Sequence, residues 1–336
     1  MEITELNLTD LYLTIFPSLS HLRIRALNLH ANRIRLLWPD LMPQGLQELN
    51  LDMNDLGDDG LLQVWPNGIH TLILSNNPLR FLDSVERWPD VLRVLDLSIT
   101  NLYGDLTGLP NTIEILKIGS TYITSISGLP ASLKELHASV TNISRIPRKL
   151  PEGLRVLDLS KGALKNGALP SRWPAGLEEI KLQNNFLTDF PKHFPPALRT
   201  LNLSHNRIQN FCREENFPPA LQILGLARNR IQFIPGWVST KRLTLTISDN
   251  CLTVKPDFPG CVDHYRQWYD LHHHRMAERI QRAWRRRSAR RILRIWRRSA
   301  ALKEPLLATA MHPSRAGRFE NISEEWEWSN SQLGTF

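Results

Sequence analysis

Cys261, Asp263 and His264 fall within four consecutive residues and bring a nucleophile together with two acid–base side chains. A thiolate attacks far better than a thiol, and a carboxylate or imidazole beside it can activate it. The triplet His272, His273 and His274 offers imidazoles for a metal. Consecutive helical residues diverge by about 100°, however, and cannot close on one ion; zinc takes separated ligands joined by further Cys or His. These three read as surface histidines. Gly-rich phosphate loops, metalloprotease helices and serine elbows are missing from the sequence. Cys212, Cys251 and Cys261 are odd in number and lack the paired framework of a disulfide-bonded secreted protein, so reduced thiols are expected. The residues lead to no metal and no cofactor.

Charge supplies the second kind of chemistry. The chain of 336 residues carries a formal +8, but eleven arginines and one glutamate between Arg275 and Arg298 give that window +10, leaving about −2 for the rest. The basicity therefore belongs to one segment. From Val262 to about Leu302 there is neither proline nor glycine, which predicts helix. Apolar residues at helical spacing in its first part, Val262, Tyr265, Trp268, Tyr269 and Leu271, suit a terminal cap.

What must position all this is a phrase, L-x-x-L-x-L-x-x-N-x-L, returning every 20 to 23 residues up to about residue 252. Twelve copies can be laid end to end. They open at Ile3, Ile24, Leu46, Ile69, Leu92, Ile113, Leu133, Leu154, Leu177, Leu198 and Leu221, and the last, degenerate copy surrounds Leu245 and Ile247. The L-x-L pair has period two, so both leucines point the same way from one short strand. One copy cannot bury its own apolar face; stacking copies at roughly 4.8 Å through parallel strand pairing makes the leucines one column.

Where the chain leaves each strand, the turn strips backbone groups of ladder partners, and an amide side chain can replace them. Asn32, Asn54, Asn77, Asn185, Asn206, Asn229 and Asn250 occupy that slot, whereas the middle copies hold Thr100, Thr121 and Thr141, followed by Gly162. Either a threonine hydroxyl ladder does the same job or the curvature changes there. A second recurrence is an apolar residue followed by proline, as in Trp65-Pro66, Trp88-Pro89, Trp173-Pro174 and Phe194-Pro195, placed four and three residues before the repeat start. Proline bars helix, so the return segments are expected to be extended or turn-like, with the large rings in the core or at its rim.

Period and phrase resemble the leucine-rich repeat family, and the apolar-Pro-x-x-Leu form is similar to short repeats of bacterial effectors and of large protist-infecting DNA viruses. The resemblance implies an α/β repeat: a solenoid with a parallel concave sheet and an irregular convex side, followed here by a C-terminal α-helix. Three parts are expected: the solenoid over 1–256, a capping and Arg/Trp-rich helix over 257–302, and an acidic, aromatic, flexible tail over 303–336. Cys-x-Asp marks the catalytic site of effector ubiquitin ligases with such repeats, but those enzymes carry a large helical domain after them. Only 75 residues follow Cys261, so catalysis is not expected.

In this family the ligand meets the positions between the strand leucines. That column contains Asp96, Lys117, His137, Asp158 and Lys181 at its centre, the expected contacts for a polar protein surface, and it has no Trp, Tyr or Phe. In the basic segment, Ile280, Gln281, Arg285, Arg290 and Leu293 match I-Q-x-x-x-R-x-x-x-x-R-x-x-L, which resembles the IQ motif that binds calmodulin and related EF-hand light chains; Arg286 replaces the usual glycine. Trp284 and Trp296 add apolar anchors for a helix-in-groove partner. The same arginines suit nucleic acid or an anionic surface, or packing on the chain itself or a neighbouring subunit.

The expected function is thus a non-catalytic protein-binding scaffold with a calmodulin-like or other acidic partner. The rival is a structural protein, of a virus particle for instance, whose basic helix grips nucleic acid or an acidic neighbour. Glu2 and Glu5 follow Met1 directly where a secretory signal would be basic and apolar, and no apolar stretch approaches the roughly 20 residues needed to span a bilayer. The expected location is intracellular, in the cytoplasm or a virion.

Overall fold

The computed structural model describes residues 4–253. The expected capping helix, the IQ-like residues Ile280, Gln281, Trp284, Arg285, Arg290, Leu293 and Trp296, the Cys261 group, the histidine triplet and the tail lie outside them.

Twelve three-residue strands form one sheet in chain order: β1 (Glu5–Asn7), β2 (Ala26–Asn28), β3 (Glu48–Asn50), β4 (Thr71–Ile73), β5 (Val94–Asp96), β6 (Ile115–Lys117), β7 (Glu135–His137), β8 (Val156–Asp158), β9 (Glu179–Lys181), β10 (Thr200–Asn202), β11 (Ile223–Gly225) and β12 (Thr244–Thr246). All pairs are parallel, and the register sets the middle leucine of each copy against the next, as in Leu95 with Leu116 and Leu116 with Leu136. A slip of one residue would turn every leucine outward. Instead Leu49, Leu116 and Leu201 are at most 1% exposed, and they belong to one continuous aliphatic spine through the described residues. Each such side chain contributes about 1.5–3 kcal/mol by leaving water.

Hydrogen bonding between repeats continues past the strands. Leu97 donates to the Lys117 carbonyl at 2.8 Å and Ile99 to the Gly119 carbonyl at 2.7 Å, a pattern that recurs from Leu8 onward. To reach it, the residue before each Asn or Thr slot adopts a left-handed backbone with φ between 51° and 58°. Asn76, Asn184, His205 and Asp249 are of types that tolerate this conformation, whereas β-branched Ile99 and Val140 are strained by it.

The outer segments contain short 3-10 turns, at Pro39–Leu41, Asp58–Gly60, Asn166–Ala168, Glu214–Asn216 and Gly236–Thr240, and no α-helix among the described residues. The apolar-Pro motif has a direct explanation. The proline carbonyl accepts the amide of the first leucine three residues on, for example Pro151 from Leu154 at 3.1 Å and Pro174 from Leu177 at 3.2 Å. The preceding ring turns inward: Trp65, Trp88 and Trp173 are buried, with Trp65 and Trp88 stacked at 6.3 Å.

Candidate interaction surface

The slot residues divide the solenoid. Each asparagine bridges two repeats: Asn206 Nδ2 donates to the carbonyls of Leu203 (3.0 Å) and Leu182 (2.9 Å), while its Oδ1 accepts the amide of Leu187 (3.0 Å). Asn32, Asn54, Asn77, Asn185, Asn229 and Asn250 do the same. Thr100, Thr121 and Thr141 are equally buried, yet each hydroxyl donates only within its own repeat, to Leu97, Ile118 and Ala138. Threonine therefore does part of the asparagine's work and leaves the repeat-to-repeat bonds there to the backbone. At Gly162 a Cβ would come within 3.0 Å of Asn185 Oδ1, so the next repeat's amide fills the space.

The register brings Asp96, Lys117, His137, Asp158 and Lys181 into one row on the inner face. They are less free than the sequence implies. Asp96 and Asp158 each accept the backbone amide two residues on, from Ser98 (3.0 Å) and Ser160 (2.9 Å). Lys117 lies 3.6 Å from Asp96, His137 Nε2 3.3 Å from Glu135 and Lys181 2.9 Å from Glu179. The charges thus largely satisfy one another. Glu135 and Glu179, missed in the sequence, sit just before the buried Leu136 and Ile180 of their strands, a position as outward-facing as the one after it.

A second missed group surrounds Asp52. Its carboxylate accepts Ser75 Oγ and Asn76 Nδ2, each at 2.7 Å, and lies 2.9 Å from His30 Nδ1. Burial pushes this carboxyl upward, but the hydrogen bonds and His30 together hold it below its ordinary value.

Apolar anchors lie at the rim and not in the central row. Phe81, Tyr103 and Tyr122 form a ladder across three repeats, with ring centroids 6.1 Å and then 5.0 Å apart, and all three are close to half exposed. Asp58 pins its first rung by accepting the amides of Arg80 (2.6 Å) and Phe81 (3.0 Å) and pairing with the Arg80 guanidinium at 3.2 Å. Ile99, strained and exposed, belongs to the middle repeat of this ladder, and Val140, likewise strained and exposed, to the repeat that follows it.

Reactive chemistry is sparse. Burial pushes the Cys212 thiol up to about 12, which keeps it protonated at neutral pH. Among the described residues no group of three or more His, Cys, Asp or Glu could hold a metal ion, and no helix is long and apolar enough to cross a membrane.

Residues 197–219 match the family model described as Leucine Rich Repeat. Toll-like receptor 2 of Macaca fascicularis is 27% identical over 128 residues, 38% of this chain and 16% of the receptor, so the match spans less than a fifth of that relative. Among solved structures, a leucine-rich repeat protein of Leptospira interrogans superposes with a TM-score of 0.56 at 23% identity, covering 76% of this chain and 80% of that one. FLRT2, from an octameric complex with Latrophilin 3 and Unc5D, gives 0.55 at 20% identity, covering 75% and 77%. These likenesses assign the fold.

Proposed function

We propose that this leucine-rich repeat chain is a non-catalytic, intracellular binding scaffold. Its inner face and aromatic rim dock a protein, and residues 280–296 engage a calmodulin-like or other acidic partner. The observation that carries the reading is the exposed ladder of Phe81, Tyr103 and Tyr122. Aromatic side chains lose little entropy on binding and dominate the energetics of protein interfaces. FLRT2, similar in fold, is itself part of a multi-protein assembly.

For the basic segment, the spacing of Ile280, Gln281, Arg285, Arg290 and Leu293 and the bulk of Trp284 and Trp296 support a helix-in-groove partner. The +10 charge also favours a second reading, a structural protein that holds nucleic acid or an acidic subunit there. Titrating the full chain with calmodulin, with and without calcium, separates the two. A saturable complex that Trp284→Ala weakens at least tenfold supports the scaffold reading. Binding only to polyanions, lost steeply with salt, supports the structural one.

A further inference from the structure

Many lysines and arginines of the described solenoid have a carboxylate partner, and others do not. Lys134 pairs with Glu114, Arg155 and Arg199 share Glu178, and Arg87 pairs with Asp90. One set has none. Arg148 and Lys149, then Arg172, then Lys192 and His193 are exposed and form no ion pair among the described residues. They occupy the same place in three successive repeats: Pro147-Arg148-Lys149-Leu150-Pro151, Pro170-Ser171-Arg172-Trp173-Pro174 and Pro191-Lys192-His193-Phe194-Pro195. Strands β8, β9 and β10 fix the alignment of these repeats, and the amide of Ile146 bonds the Ala168 carbonyl across the first two at 2.9 Å.

Each dipeptide is held at both ends. Proline restricts the backbone on either side, the second proline's carbonyl takes the next leucine's amide, and the apolar residue between is tucked into or against the core. The cations therefore stand as a pre-organised column, one step per repeat, with little backbone entropy left to lose on binding. The carboxylates nearest in sequence are Glu152 and Asp189, and Asp189 already accepts from Asn166 and Thr188.

We infer that this Pro-bracketed column binds the phosphodiester backbone of double-stranded nucleic acid, independently of base sequence. The choice of ligand follows from what the column lacks. Between Val140 and Phe186, and from there to Ile223, no large apolar side chain is exposed. A folded protein partner would want aromatic or aliphatic anchors, and a single strand would want rings on which bases stack. A duplex backbone asks only for ordered positive charge. This site shares no residue with the aromatic rim or with residues 280–296.

The test is fluorescence anisotropy of the full chain with a labelled duplex across a salt series. Lys149→Gln, Arg172→Gln and Lys192→Gln together should flatten the log–log salt slope by about 3, at about 0.9 per lost phosphate contact. The same number of neutralisations at the paired cations, Lys134→Gln, Arg155→Gln and Arg199→Gln, should change it by less than about 1. Lys149→Arg with Lys192→Arg should keep the original slope, and all variants should keep the thermal midpoint. Equal effects of the two triple variants, absence of duplex binding by the full chain, or competition by poly-glutamate as effective as by duplex would each overturn the assignment.

Discussion

At the scale of single residues, the difference between asparagine and threonine is a difference in how many repeats one side chain holds. Asn206→Ala removes two bonds to carbonyls, which keep Asn185 and Asn229 as donors, and orphans the Leu187 amide in a buried turn, whereas Thr121→Ala removes one bond within a repeat. Each hydrogen bond lost costs about 1 kcal/mol, and a buried amide left without any partner about 1–3 kcal/mol. Denaturant titration should therefore show a loss on the order of 3 kcal/mol for Asn206→Ala and about 1 kcal/mol for Thr121→Ala; equal losses would refute the bridging role. Asp52 gives a pH signature. Its carboxyl is held below the ordinary value near 3.8 in the folded chain, so the folded state gains from the ionised form above that value and loses the gain as pH falls through the lowered one. Melting temperatures should fall more steeply between about pH 4 and pH 2 for the native chain than for Asp52→Asn, and parallel curves would show that Asp52 is not involved.

At the scale of elements, the strands and their slots were legible because each copy repeats the same residue types at the same offsets. The rim was not. Phe81 lies four residues past its slot, Tyr103 three and Tyr122 one, so the rings form a ladder in space but no column in the aligned repeats. The inner-face row was half legible: its five residues lie together, but the partners Glu135 and Glu179, and the backbone bonds that occupy Asp96 and Asp158, depend on the turn geometry. Two predictions belong here. Ile99→Asn should raise stability by roughly 1 kcal/mol by relieving a left-handed β-branched residue, while lowering capture of partners by a photo-crosslinker placed at Tyr122; stability gained with capture intact would remove Ile99 from the docking surface. Gly60→Ala should destabilise the solenoid, because a Cβ there collides with the Arg35 carbonyl in the neighbouring outer turn. An unchanged melting temperature would mean that this turn yields freely.

At the scale of the whole described solenoid, stability comes from neighbours: each repeat buries its leucines only against the copies before and after it. The surfaces left over divide by chemistry. The inner face is polar and internally paired, the rim is aromatic, and one outer stretch is cationic. Such a division keeps three chemistries on separate surfaces of one solenoid. All of it depends on one unbroken spine, which hydrogen exchange read residue by residue tests most directly. The amides of Leu29, Leu97 and Leu203 each donate to the next repeat at 2.8 Å and should exchange together and slowly, with comparable protection from β3 through β10. Free exchange in any block of those strands, on the timescale of an unstructured peptide, would contradict the account.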